Sequence, residues 1–420
     1  MGKPAMAEAH RAAHPVCFLV LYLPFGAASG FSSITLAYLL SHHGVSLPAV
    51  AGMIAMTYLP NTWKVLWAPV VDTTLSARRW YMIGVGITAL AFVIASFAPL
   101  GPQSMPLFDG MTFTLGLAST IAAMAAERFM AFDTPEDQKG RAGGWSQAGN
   151  LGGGGLGGGL GLWLAVHTGH PWVAGAVLAF LSLVCILMAL RLADPPRVAR
   201  DGSYLATLKE TGRDVLGMAT RRIGMLAIFI CLLPMCTGAA SSLWSSIAGD
   251  WRAGADEVAL VSGLLNGVAT MIGALIGGYV CDRMDRKASY ALFGLISAAT
   301  ALAMALGPRT PMAFLGFATA YYFVIGACYG AYAGLTLEAI GKGAAATKFN
   351  LIASVANVPI MLMILVDGQA QVRWGSGGML LTEAAFAVVA VALYAGVVFA
   401  TRGWSWLGAR RLVGLAPASG

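Results

Sequence analysis

Residues 277–294 read GGYVCDRMDRKASYALFG, and residues 67–84 read WAPVVDTTLSARRWYMIG. Each stretch leaves an apolar run through an aspartate, Asp282 or Asp72, and meets a basic pair, Arg286-Lys287 or Arg78-Arg79. Each then enters a new apolar run. A second correspondence lies further along. Glu127 and Glu338 stand near the ends of apolar runs, and beyond them Arg141 precedes Asn150 at the spacing by which Lys348 precedes Asn357. Self-similarity at this separation marks a duplicated unit.

The surrounding composition says what the unit is made of. Of 420 residues, 58% are hydrophobic and 11% charged, and the mean hydropathy is +0.72. A soluble domain carries about 25% charged residues. This chain cannot cover a water-exposed surface, so its solvent is lipid. Spanning a bilayer takes roughly 20 apolar residues per helix, and backbone groups in lipid must be satisfied within the segment. The apolar runs predict helices at about 15–40, 47–70, 80–99, 105–129, 144–166, 172–191, 223–248, 257–280, 288–307, 312–339, 346–367 and 378–400. The expected fold is therefore an all-α membrane protein, with twelve transmembrane helices in two pseudo-symmetric six-helix bundles. The bundles take residues 1–192 and 223–420, the second ending in a short cytoplasmic tail. A cytoplasmic linker, 193–222, joins them, and YLATLKETGRDVLGMA within it predicts a short surface helix.

Charge placement gives the topology. Of 26 Lys and Arg residues, all but Lys64, Arg252, Arg309 and Arg373 fall in the even-numbered loops and the two tails. Positive loops stay cytoplasmic, which predicts a multi-pass inner-membrane protein with both termini in the cytoplasm. The net charge of +7 is thereby explained without nucleic acid. The N-terminal MGKPAMAEAHRAAH is a polar leader ahead of a full-length span and does not read as a cleaved signal. Six cysteines without a CxxC pair read as small buried hydrophobes, and no metal or other cofactor is expected.

GGYVCDRMDRK resembles the signature G-x-x-x-D-R-x-x-R-(R/K) that the major facilitator superfamily carries between its eighth and ninth helices. YLPNTWKVLWAPVVD is similar to the K-F-L-W-(S/A)-P-x-x-D segment of the subgroup containing the muropeptide permease, acetyl-CoA transporters and certain siderophore importers. ATKFNLIASVANVP likewise resembles that subgroup's S-A-T-Q-F-A-L-L. Where the muropeptide permease has an arginine in its fifth span, this chain has Asn150. The resemblance implies a carrier whose aspartates cap helices and pair with arginines to close the cytoplasmic side. It assigns Asp72, Arg78, Arg79, Glu127, Arg141, Asp282, Arg283, Arg286, Lys287, Glu338 and Lys348 to that gate.

Charged groups inside a span cost about 2.5–3.5 kcal/mol on insertion scales, so each requires a reason. Asp109 and Glu383 are candidate proton-coupling carboxylates, or else sit close enough to the headgroups to reach water. Asp367 reads as a loop partner of Arg373. Lys64 follows Pro60-Asn61-Thr62-Trp63. Its ammonium either snorkels to the headgroups or joins Asn61 in holding an anionic group within a central cavity. Tyr22, Asn150, Trp244, Asn266, Tyr321, Tyr322, Asn350 and Asn357 complete the expected cavity set. The run NLGGGGLGGGLGLW, Asn150 to Trp163, reads as a close-packing and sliding surface, with Gly154 and Gly158 in register as one GxxxG.

These parts describe a secondary active transporter that moves a small or medium-sized organic solute by alternating access, as proton-coupled uptake. A muropeptide-like or siderophore-like solute fits. Efflux of small organic compounds and a non-transporting receptor on the same fold are the alternative readings. No intramembrane histidine or nucleophile–base pair is present, so an enzyme is not expected. The expected partners are a small-molecule substrate, protons and the lipid bilayer; no nucleic acid is expected, and the chain is expected to be a monomer.

Overall fold

The computed structural model describes residues 13–195, 204–341 and 345–402. Most of the polar leader, linker residues 196–203, Lys342, and the tail with Arg410 and Arg411 lie outside them. Helix is the only regular secondary structure among the described residues. Before the linker come α1 (16–42), α2 (Leu47–Thr73), α3 (Ala77–Phe97), α4 (Met105–Asp133), α5 (139–167) and α6 (Pro171–Arg191). After it come α7 (Tyr204–Thr220), α8 (Arg222–Leu232), α9 (255–283), α10 (Arg286–Leu306), α11 (Pro311–Ile340), α12 (345–374) and α13 (376–402). The amphipathic α7 is the helix expected in the linker.

Eight helices among the described residues are long and apolar enough to cross a membrane by length and composition. One of these is the run Ala345–Phe399, which Gly375 divides with its left-handed φ of 69°. The starts of several helices are written in sequence. Ser76 accepts from the Arg79 N–H at 3.3 Å to begin α3. Asp285 accepts from the Lys287 and Ala288 N–H groups to begin α10. Thr310 accepts from Ala313 N–H ahead of Pro311, whose missing donor is harmless in a first turn. Large apolar side chains face outward, among them Met312 at 76% and Val372 at 82% exposed. Water would not tolerate that belt, and lipid does.

Two expectations change. The stretch 223–248 is not one helix. α8 stops at Leu232, and the chain resumes in a 3-10 turn (Ala239–Leu243) after Gly238, which has φ 67°. Pro234 lacks the N–H that a continuing helix would need, so the break has a local cause. The eleventh stretch runs past residue 367 to the turn at Gly375. Polar Asp367, Gln371 and Arg373 lower its hydropathy, yet Asp367 is buried within the helix and is no loop residue.

The glycine-rich stretch of α5 packs on two sides. Gly149, Gly153 and Gly157 face the backbone of α1, where a Cβ would collide with the carbonyls of Leu19, Leu23 and Ala27. From α1, Gly26 and Gly30 approach the Asn150 and Gly154 carbonyls as closely. The stripe in register is thus 149/153/157, and Gly154 itself has room for a side chain. On the other side, Gly140 and Gly144 meet Gly278 and Ala274 of α9 backbone to backbone. Small residues permit this approach where lipid supplies no hydrophobic drive between helices. The π-turns Phe31–Leu36 and Leu156–Leu160 are tied by the Thr35 hydroxyl, which donates to the Gly157 carbonyl at 2.8 Å.

Candidate functional site

A cavity of about 410 Å³ lies among helices from both sides of the linker. Its wall includes Tyr22 (α1), Asn61 and Lys64 (α2), Glu127 (α4), Gln147 and Asn150 (α5), Tyr329 and Tyr332 (α11), and Asn350 and Asn357 (α12). Six residues expected there, Tyr22, Asn61, Lys64, Asn150, Asn350 and Asn357, do line it. Trp244, Asn266, Tyr321 and Tyr322 do not. Trp244 is buried edge-on against Phe314 and Tyr321, and the Asn266 side chain donates back to the Ser262 carbonyl on its own helix.

Lys64 and Glu127 are the cavity's opposed charges. They interact electrostatically without closing into a direct ion pair. Glu127 is 3% exposed, and its carboxylate accepts from the Asn350 side chain at 2.6 Å. That bond joins α4 to α12, across the middle of the cavity. Thr120 donates to Asn61 at 3.1 Å, and Asn150 to Gln147 at 3.3 Å, so two of the amides are held in place. Among the described residues the Tyr22 and Tyr332 hydroxyls and the Asn350 carbonyl oxygen make no hydrogen bond of ordinary geometry. Buried polar atoms of this kind are completed by water or solute. Sequence reading set Glu127 with the gate; the signal it carried was a carboxylate well inside its helix.

Two aspartates tie helix ends across the linker, as two latches would. Asp72, at the end of α2, accepts from the Ala346 and Thr347 N–H groups at 3.3 and 2.8 Å and from the Thr347 hydroxyl at 2.8 Å. Asp282, at the end of α9, accepts from the Gly140 and Arg141 N–H groups at 2.6 and 2.8 Å. Each aspartate thus caps the N-terminus of a helix from the other side of the linker. Free N–H groups and the helix dipole both favour an anion there. Arg128 lies 3.8 Å from Asp72, and Arg141 pairs with Asp282 at 3.0 Å. Around the second latch, Arg286 pairs with Glu136 at 2.9 Å and Glu338 at 3.1 Å, and Lys287 pairs with Glu338 at 3.2 Å.

The remaining gate candidates are placed elsewhere. Arg78 donates to the Leu192 carbonyl, and Arg79 is exposed. Arg283 lies over the Tyr279 ring at 3.5 Å, and Lys348 donates to the Ile340 carbonyl. Arg128, Glu136 and Thr347 were missed, because nothing in their local sequence names a partner so distant in the chain. Asp109 is half-buried outside the cavity wall, with one carboxylate oxygen unpartnered. Glu383 is buried beneath the α12–α13 turn, bonded to Tyr321.

Apolar outward faces, a polar central cavity and capped helix ends define a multi-pass membrane carrier. The chain belongs to the Major Facilitator Superfamily, whose family pattern matches residues 16–364. It is 24% identical over 365 residues to the anhydromuropeptide permease of Escherichia coli K12, covering 81% of this chain and 70% of that protein. Among solved structures it is similar to the human organic anion transporter MFSD10, with TM-score 0.69, 14% identity, and 90% and 98% of the two chains covered. It is also similar to the proton:xylose symporter XylE, with TM-score 0.66, 12% identity, and 93% and 96% covered. The family is one of transporters for small-molecule substrates.

Proposed function

We propose that this protein is a proton-coupled importer of a polar, anion-bearing organic solute, with Lys64 and Glu127 as its working pair. The observation that carries this reading is their presence in the wall of one cavity, with Glu127 bonded to α12 through Asn350. Before solute arrives, the ammonium and carboxylate offset each other's burial. An anionic group that engages Lys64 removes that offset. Glu127 is then left as an uncompensated buried anion and takes up a proton. Solute and proton thus favour each other's binding, which is the thermodynamic requirement for symport. The Glu127–Asn350 bond makes that proton a conformational signal, because protonation weakens a contact between the two sides of the cavity.

In this reading the spans number twelve, in two bundles joined by the 193–222 linker, and alternating access is their rocking about the cavity. The protein sits in the inner membrane with both termini in the cytoplasm, so the latches close the cytoplasmic end. The basic-residue distribution supports that orientation. The permease relative and the proton:xylose neighbour support uptake with protons. No enzymatic step is assigned. Glu127 takes precedence over Asp109 as the coupling carboxylate because Asp109 does not touch the cavity.

The test is uptake by purified protein in liposomes, with and without an imposed proton gradient, using anhydromuropeptide first and other polar anionic solutes after it. Wild-type protein accumulates solute only with the gradient. Glu127→Gln retains exchange and loses accumulation, and Lys64→Met raises the half-saturating concentration about tenfold or more, as loss of a charge-assisted contact requires. Accumulation by Glu127→Gln at the wild-type level would sink the scheme.

A further inference from the structure

The hairpin of α12 and α13 holds two carboxylates that the cavity does not use. Asp367 and Glu383 stand equally far in sequence from Gly375, so both lie roughly 12 Å from the turn along their helices. Asp367 is 0% exposed and Glu383 is 5% exposed. Glu383 is well supplied with donors. It accepts from the Tyr321 hydroxyl of α11, from the Ala240 N–H at 3.2 Å and from the Thr237 hydroxyl at 3.5 Å. The last two come from the broken segment after α8. Asp367 has no such support: among the described residues neither of its oxygens has a hydrogen-bond partner. The charged group acting on it is Glu383 itself.

The other groups facing the pair can be named. From α11 come Tyr321 and, beside it, Cys328; from the broken segment come Thr237 and the Ala240 N–H. Among the described residues no lysine, arginine or histidine pairs with either carboxylate. Arg309 is committed to Ser376, the Ala305 carbonyl and the face of Trp251, and Arg373 is exposed. Two ionised carboxylates buried together, one without any donor, repel each other and lack solvation. One proton taken up by Asp367 removes both penalties.

We propose that Asp367 and Glu383 form a proton-binding pair that takes up a single proton, carried by Asp367, and that the pair communicates with the cavity through Thr237. Asp367 is the acid, and Glu383 is the hydrogen-bonded carboxylate. The site binds and releases a proton and makes or breaks no other bond. Thr237 has a place in both regions: it lines the cavity with Leu233 and Cys236 and donates to Glu383. Gly238, with φ 67°, is the elbow between them. Departure of the proton sets two anions against each other and pulls Glu383 from the Ala239–Leu243 turn, which moves that wall of the cavity. Only this consequence for transport rests on the symport reading above.

Infrared difference spectroscopy of the purified full-length protein, titrated with pH in the absence of solute, tests the site. The expected result is a protonated-carboxyl C=O band in wild type that disappears on alkalinisation. It is absent in Asp367→Asn, and it moves in Tyr321→Phe, which removes a donor from the partner carboxylate. Should Asp367→Asn not fold, Asp367→Glu keeps the acid and is expected to shift the band and retain it. A wild-type band unchanged in Asp367→Asn overturns the proposal. So does a band abolished by sodium at constant pH, which would make the pair a metal-cation site. The spectrum reads no transport, so failure of proton-driven uptake would sink symport and leave this result standing.

Discussion

The two latches perform the same act with different surroundings. Asp72 caps the start of α12, buried, with Arg128 behind it and the Thr347 hydroxyl as a third donor. Asp282 caps the start of α5 beside Arg141, whose side chain is 43% exposed, at the edge of the Arg286–Glu136–Glu338–Lys287 network. One latch depends on few, shielded contacts. The other spreads its hold over several charges, some of them open to water and salt. A duplicated aspartate therefore conserves a geometry and leaves its energetics free to diverge. The version with the shielded arginine is the less sensitive to salt, and the networked version is the more tolerant of single losses.

The largest effect is expected from Asp72→Asn. It replaces a charged acceptor of two N–H groups and a hydroxyl, each bond being worth about 1.5–3 kcal/mol. It also removes the anion that lies 3.8 Å from Arg128. The latched population should fall tenfold or more, measured as faster thiol labelling of a cysteine placed at the α2–α12 contact. Equal labelling in wild type and variant would show that this latch does not hold the end closed. Asp282→Asn should open its own side less, by about three- to tenfold on a matching α5–α9 probe, because Arg286 still pairs with Glu136 across the same contact. If Asp282→Asn proves the more damaging, the network is subordinate to its aspartate.

Thr347→Val isolates a single hydroxyl and should loosen the first latch by about 0.5–1.5 kcal/mol, read as a small shift on the same labelling assay. The smallest effect is expected from Glu136. Partial burial alone would raise its carboxyl, but hydrogen bonds from Lys139 and Arg286 outweigh that and hold it below the usual carboxylate range. A depressed folded-state value gives a contribution present above the ordinary carboxylate range and lost as pH falls through the folded one. Lowering the pH through and below the ordinary carboxylate range should therefore loosen the Asp282 side in wild type. Glu136→Gln should remove that step at a stability change of about 0–1 kcal/mol, diminishing with salt. A pH step that persists in Glu136→Gln would assign it to another carboxylate.

Glu127 and Glu338 show where sequence symmetry stops. Their places in the two halves look equivalent, and both were read as gate residues. Glu338 does join the charged network beside Asp282. Glu127 faces Lys64 and Asn350 inside the cavity. Glu127 stands six residues before the end of α4 and Glu338 two before the end of α11, so about one helical turn of depth separates the cavity from the charged end. A register shift in α5 puts Gly149, Gly153 and Gly157 against the α1 backbone, while Gly158 meets the Ile34 side chain and Gly154 has room.

The sequence by itself determined the solvent, the helical class, the transporter family and six of the polar residues that line the cavity. Hydropathy, capping aspartates and short motifs are local properties, and they can be read without knowing which helices touch. Tertiary structure alone decided which N-termini Asp72 and Asp282 cap, that Glu127 shares a cavity with Lys64, and that Asp367 lies buried beside Glu383. Those are pairings between residues far apart in the chain. They depend on how the helices rotate and dock, which side-chain shape and backbone approach settle together.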